Sequence, residues 1–185
     1  MQKFFGFPKR FYDGCILERM PICIRLMSGI LKKDSINNPT TMPSLLILYN
    51  TKTGNTELMA KAVEEGAKEV PNVEVILKYH ATPEELQRVD AFIIGVPTYN
   101  HQMTLDVQSL LEKTAQKNAN LQGKTTAAFG SYGWSGEAPK QVLEILRNKF
   151  RTKIIEPPIL ANYKPDEKNL EKCRELGKHV AEMLV

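Results

Sequence analysis

Three hydroxyl side chains, one glycine and one amide lie together in residues 51–56, which read Thr-Lys-Thr-Gly-Asn-Thr. An unbroken apolar run, residues 45–49, precedes them, and an amphipathic helix is predicted to begin near Glu57. A strand, a short loop and a helix start can hold a phosphate, because loop N–H groups and the positive end of the helix dipole face the anion. An ordinary tight turn with a helix cap would show the same pattern. The candidate phosphate-binding residues are Thr51, Lys52, Thr53, Gly54, Asn55 and Thr56.

Two further loops follow apolar strands and carry aromatic rings. Residues 97–100 supply a proline turn, a tyrosine and an amide, and residues 131–136 hold the only tryptophan of the chain between two glycines. Glycine lets a backbone approach a flat ligand, and aromatic rings offer faces for stacking, although a protein contact at the tryptophan is an alternative. A phosphate site beside an aromatic slot is the shape of a flavin mononucleotide (FMN) site. The candidate residues here are Pro97, Thr98, Tyr99, Asn100, Ser131, Tyr132, Gly133, Trp134 and Gly136.

Alternating strand and helix patterns must position these loops. Continuous apolar runs such as residues 91–96 are typical of strands buried on both faces of a parallel sheet. Five strands alternating with five helices predict an α/β fold: a three-layer α/β/α sandwich whose five-stranded parallel sheet has the flavodoxin-like order 2-1-3-4-5. In that order the three loops would meet, since ligands bind where the first and third strands end. The predicted strands are residues 44–50, 73–78, 90–96, 125–131 and 153–160.

The three loops also carry a family resemblance. Residues 51–56 resemble the phosphate loop of flavodoxins, written T-x-T-G-N-T, and match it at every specified position. Residues 97–100 and 131–138 are similar to the flavodoxin domain of A-type flavoproteins, the flavodiiron family. The resemblance implies that FMN is the cofactor, that the residues of the first loop hold its phosphate, and that Tyr99 and Trp134 flank its isoalloxazine ring.

The resemblance implies an electron carrier between redox partner proteins, with no catalytic residue of its own. Flavodiiron proteins carry a preceding diiron domain, but residues 1–42 contain no histidine, so we expect neither a metal site nor reduction of oxygen or nitric oxide. An NAD(P)H-dependent quinone or FMN reductase is the alternative, and a flavin-free interaction module is a third. The loops lack the carboxylates of a response-regulator receiver, the cysteine and arginine of a low-molecular-weight phosphatase and a Walker A motif.

Charge divides the chain into two parts. The net charge of +4 lies entirely within residues 1–42, and residues 43–185 are neutral, with no basic face for nucleic acid. The longest apolar run of the N-terminal part, Leu26 to Leu31, is too short to cross a membrane. We therefore expect residues 1–42 to be an extension outside the fold, with Met42 as the natural start or near it, and residues 43–185 to form the FMN-binding domain. Three scattered cysteines favour the cytoplasm, and we expect a monomer or weak homodimer.

Several side chains allow two interpretations. His101 lies where an imidazole could approach the flavin, but a solvated loop histidine is the favoured interpretation. Glu137 is expected to favour its helix dipole rather than donate a proton, and Cys173 to be a small buried hydrophobe. The apolar face of the first helix is predicted to contain Leu58, Met59, Ala62, Val63 and Val70.

Overall fold

A computed structural model describes residues 42–185 of the chain. The strands of this part are β1 (Ser44–Tyr49), β2 (Glu74–Lys78), β3 (Ala91–Gly95), β4 (Thr125–Tyr132), β5 (Lys153–Ile154) and β6 (Ile159–Asn162). The helices are α1 (Asn55–Lys68), α2 (Pro83–Arg88), α3 (Leu105–Gln116), α4 (Glu137–Phe150) and α5 (Glu167–Glu182). The expectation for the N-terminal extension falls on residues 1–41, which lie outside the described residues.

The strands form one parallel sheet in the order β2-β1-β3-β4-β5, and β6 also pairs with β4. In the register of the sheet, Leu46 of β1 lies between Ile76 of β2 and Phe92 of β3. The predicted fold class and strand order are confirmed. Because all strands run in one direction, the loops that follow β1, β3 and β4 leave the sheet at the same edge.

Helices cover both faces of the sheet and give it two apolar cores. Alternate residues of β1 enter different cores, so that Leu45 and Ile47 pack with α1 and α5, while Leu46 and Leu48 pack with α3 and α4. Cys173 is fully buried on the α1 and α5 side, where burial raises the pKa of its thiol to about 12. The interpretation of Cys173 as a small buried hydrophobe is confirmed.

The fifth strand position differs from the prediction of one strand over residues 153–160. It consists of two short segments, β5 and β6, separated by residues 155–158. Pro157 and Pro158 explain the break, because proline has no N–H to donate to the ladder. Both segments pair with β4, so the strand order is unaffected.

The apolar face of α1 is narrower than predicted. Met59, Ala62 and Val63 are buried, but Leu58 is 41% exposed, because the rotation of one residue along the helix turns its side chain away from the sheet. On the outer face, Lys61 pairs with Glu57 at 2.8 Å. None of the helices among residues 42–185 is long and apolar enough to cross a membrane.

Candidate functional site

The three loops meet at the carboxyl edge of the sheet, as predicted. Backbone hydrogen bonds join their starting points: Asn50 N–H donates to Gly95 O at 2.9 Å, and Thr98 N–H donates to Ser131 O at 3.0 Å. A cleft of about 270 Å³ opens between the loops. Larger depressions exist on the surface, but this one lies where parallel sheets bind ligands. Its lining residues are Thr53, Asn55, Pro97, Thr98, Tyr99, Asn100, Ser131, Tyr132, Gly133, Trp134 and Tyr163.

The first loop presents the start of α1 to the cleft. Gly54 precedes the helix with a φ of 82°, a left-handed conformation that favours glycine. Its N–H donates to the Thr51 hydroxyl at 3.0 Å, which closes the loop on itself. Within the described part of the chain, no side chain caps α1. The first N–H groups of the helix are therefore available to an anion, together with the helix dipole.

A buried pair of hydroxyls ties the first loop to the third. Thr56, in the first turn of α1, is fully buried, and its Oγ1 lies 3.0 Å from Oγ of Ser131 at the end of β4. Either hydroxyl can donate, so one proton in this contact is left for another acceptor. The contact fixes the helix start relative to the neighbouring strand, and Ser131 also lines the cleft.

The second loop is a compact hairpin that contacts both of its neighbours. Tyr99 and Gln102 exchange two backbone hydrogen bonds, at 3.1 and 2.9 Å. The Thr98 hydroxyl accepts a hydrogen bond from Ala138 N–H at 3.2 Å, at the start of α4. From the first loop, the Lys52 ammonium lies 5.0 Å from the centre of the Tyr99 ring, a cation–π distance. The Lys52 side chain thus supports the aromatic wall of the cleft.

Aromatic side chains form the open part of the cleft. Trp134 is 91% exposed and Tyr99 is half-buried. Tyr163, which sequence analysis missed, follows β6 and is 66% exposed. A Cβ atom placed on Gly133 would lie 3.1 Å from the Tyr163 ring, so the ring packs closely against the backbone of the third loop. The sequence did contain a signal for Tyr163, because an aromatic residue directly follows a strand at this edge of the sheet. The signal was missed because the sequence predicted one continuous strand over residues 153–160.

Five of the predicted site residues support the cleft without lining it. Gly136 precedes α4, where a Cβ would come within 3.1 Å of Leu160 and 3.2 Å of Tyr132. The others belong to the first loop, where they close the turn, contact Tyr99 or face the core. These residues are Thr51, Lys52, Gly54, Thr56 and Gly136.

His101 is an exposed loop histidine, as the sequence favoured, with a side chain that is 65% exposed, and it also contacts the segment that opens α4. Its Nδ1 lies 3.0 Å from the Ser135 hydroxyl and 3.2 Å from Glu137 Oε1, and its backbone carbonyl accepts a hydrogen bond from Gln141 at 2.9 Å. The Ser135 hydroxyl and, after it, the His101 ring lower the pKa of the Glu137 carboxyl from its ordinary value. Glu137 is the first residue of α4, so its charge also suits the helix dipole, as expected.

Comparison with known proteins agrees with this geometry. The family model described as Flavodoxin matches residues 47–177. The chain belongs to the flavodoxin family. The type A flavoprotein fprA of Rhodobacter capsulatus is 32% identical to it over 166 residues, which cover 86% of this chain and 37% of the relative. The putative diflavin flavoprotein A 5 of a Nostoc species is 34% identical over 149 residues, which cover 76% of this chain and 25% of the relative.

Among solved structures, that of a flavodoxin from the domain Archaea matches at 35% identity with a TM-score of 0.65, covering 76% of this chain and 98% of that flavodoxin. The chain is thus similar to a whole flavodoxin and to one part of the longer flavoproteins. It spans between 25% and 37% of the length of the two curated relatives above. The resemblance to the flavodoxin part of A-type flavoproteins is confirmed.

FMN is the cofactor of this flavodoxin-family chain, as the loops predicted, and the chain is an FMN-binding redox protein. The chemistry of the cleft fits FMN. Hydroxyl and amide groups and the uncapped start of α1 suit a phosphate. The eleven residues lining the cleft include no carboxylate to repel one. Tyrosine and tryptophan rings on the second and third loops suit a flat heterocycle.

Proposed function

We propose that this chain is a low-potential electron carrier that binds FMN in the cleft and transfers electrons between redox partner proteins. When bound, FMN supplies the redox chemistry, and the protein contributes binding, orientation and the electrostatic environment. In this proposal the donor and the acceptor of the electrons are other proteins.

In this proposal the first loop anchors the phosphate. Thr53 and Asn55 line the cleft, and they would bind the phosphate with the N–H groups of the first turn of α1. Thr51 and Thr56 shape the loop through their contacts with Gly54 and Ser131. Lys52 would act through the Tyr99 ring, which its ammonium covers.

The second and third loops would hold the ring system. Tyr99 and Trp134 offer π-faces on the two loops that border the cleft, and Pro97, Thr98 and Asn100 shape the wall beside Tyr99. Tyr132, Gly133 and Gly136 set the path of the third loop, on which the exposed Trp134 lines the cleft. Tyr163 adds an aromatic contact behind Gly133.

The exposure of Trp134 is the observation that carries the proposal. At 91% exposure this ring belongs to the outer surface and also lines the cleft. A ring bound beside it would have an edge within reach of another protein, which is what direct electron transfer requires. Exposed aromatic side chains also suit a protein contact surface. An enzyme that reduces a small substrate would instead need a cleft that encloses both the flavin and that substrate.

Stopped-flow absorbance of the FMN-loaded protein tests this function. We expect NADH and NADPH alone to leave the flavin absorbance unchanged, because the carrier depends on a partner for its electrons. After chemical reduction under anaerobic conditions, the protein should reduce a one-electron acceptor protein such as cytochrome c. Rapid bleaching by NADH or NADPH would reject the carrier and support the quinone or FMN reductase that the sequence leaves as the alternative.

A further inference from the structure

His101, Ser135 and Glu137 form a side-chain cluster outside the residues assigned to FMN. We call it the latch. His101 belongs to the loop after β3, and Ser135 and Glu137 belong to the segment that opens α4. The His101 Nδ1 lies 3.0 Å from Ser135 Oγ and 3.2 Å from Glu137 Oε1. The latch therefore joins the two loops that carry Tyr99 and Trp134.

Asn100 and His101 form the tip of the hairpin that contains one side of the latch. Their φ values of 48° and 64° are those of the central pair of a two-residue hairpin turn, which the Tyr99–Gln102 backbone hydrogen bonds close. Gln141 of α4 ties this tip to the helix by donating to the His101 carbonyl at 2.9 Å. Asn100, one residue before His101, lines the cleft. A change in the His101 contacts would thus be transmitted directly to the cleft wall.

The charge of His101 decides which contacts the latch can make. In the protonated ring, Nδ1–H donates towards the Glu137 carboxylate as a charge-assisted hydrogen bond. In the neutral tautomer without a proton on Nδ1, that nitrogen accepts from Ser135 and presents a lone pair to Glu137. In the other neutral tautomer Nδ1–H still donates, but without the charge. Loss of the proton therefore weakens the contact in either form.

The Glu137 carboxylate depends on its contact with His101. Its side chain is 44% exposed as a whole, but its Oε2 is enclosed and has no hydrogen-bond partner within residues 42–185. Its charge is stabilised by the Ser135 hydroxyl, by His101 at Oε1 and by the start of α4. Glu137 is the charged group in contact with His101 in this region. The Lys52 ammonium of the first loop lies over the neighbouring Tyr99 ring.

We propose that His101 is a positioning residue which, through Ser135 and Glu137, makes the affinity of the cleft for FMN depend on pH. With His101 protonated, the latch closes and the loops carrying Tyr99 and Trp134 are held in the arrangement seen here. With His101 neutral, the loops separate more readily and the cleft is less well organised. This inference rests on the proposed location of FMN in the cleft, and it adds a regulation of the same site.

The test measures FMN dissociation constants from pH 5.5 to 8.5 for the wild type, His101→Gln and Glu137→Gln. The FMN phosphate itself changes charge in this range. His179→Gln therefore serves as the matched control. It also replaces a histidine, but on α5 away from the latch, so it keeps the pH dependence that comes from the phosphate. When the pH is raised from 5.5 to 8.5, the FMN affinity of the wild type and of the control should fall about threefold to tenfold further than the affinity of His101→Gln. This factor is the scale of one exposed charge-assisted hydrogen bond. Glu137→Gln should behave like His101→Gln.

A second readout uses the apoprotein. In ¹H–¹⁵N spectra, the backbone amides of residues 100–102 and 135–137 should shift with pH together, with one midpoint, and His101→Gln should abolish this shared transition. Equal pH dependence of FMN affinity in the wild type and His101→Gln, or independent titration of the two segments, would overturn the proposal. If FMN failed to bind at all, the proposed FMN carrier function would be wrong, whereas the apoprotein spectra would still decide whether the latch exists.

Discussion

Removal of one hydroxyl from the Thr56–Ser131 pair should destabilise the apoprotein by more than the loss of an average hydrogen bond. Thr56→Val preserves the shape of the side chain but leaves the Ser131 hydroxyl without its protein partner at a position that is almost fully buried. An unsatisfied buried polar group costs about 1–3 kcal/mol. We therefore expect the free energy of unfolding to fall by about 1–3 kcal/mol in Thr56→Val, and by a similar amount in Ser131→Ala.

The double variant separates this mechanism from simple loss of packing. With both hydroxyls absent, no polar group is left unsatisfied, so the double variant should be destabilised by about 1 kcal/mol less than the sum of the single variants. Urea unfolding of the apoprotein gives these free energies. Thr114→Val is a matched control, because the Thr114 hydroxyl is also buried but donates to Leu110 O within α3. Additive single variants, or a Thr114→Val effect equal to that of Thr56→Val, would refute the reasoning.

Three further predictions concern the scaffold. Gly177→Ala should lower the free energy of unfolding by about 1–3 kcal/mol, because the added carbon would lie 1.9 Å from Val63 O where α5 crosses α1, and urea unfolding measures it. The pKa of the Glu85 carboxyl is lowered, mainly by a hydrogen bond from Lys78. The wild type should therefore be more stable than Glu85→Gln above the ordinary carboxyl pKa, and this advantage should vanish as pH falls through the lowered pKa. Acid unfolding of the two proteins measures the difference. Removal of residues 1–41 should leave the melting temperature of the domain unchanged in calorimetry, and a large decrease would refute the predicted domain boundary.

Much of the fold could be predicted from the sequence because its signals are local. The apolar runs of β1 and β3 required helices on both faces of the sheet, and that requirement selects a parallel α/β arrangement. The break between β5 and β6 had a local signal too, in Pro157 and Pro158, but the apolar residues around it suggested a continuous strand. The predicted burial of Leu58 was wrong because this residue lies at the edge of the apolar stripe of α1. At such a position, helical periodicity does not decide whether a side chain faces the core or solvent.

The site was predictable at the level of loops and not at the level of contacts. The hydroxyls, glycines and aromatic rings of the three loops were visible as residue types. The pairing of Thr56 with Ser131 joins residues 75 positions apart, and that of His101 with Glu137 joins residues 36 apart. No periodicity encodes such contacts, because they depend on how two loops close over the edge of the sheet. The role of Tyr163 was hidden for the same reason.

The fluorescence of Trp134 tests the central claim most directly, since it is the only tryptophan of the chain and it lines the cleft. FMN added to the apoprotein should quench this emission with a stoichiometry of one. Riboflavin, which has the same ring system but no phosphate, should bind much more weakly, because residues 51–56 and the start of α1 would have no anion to hold. Unchanged tryptophan emission on addition of FMN, or equal affinity for FMN and riboflavin, would contradict a cleft in which the first loop anchors the phosphate and Trp134 flanks the ring.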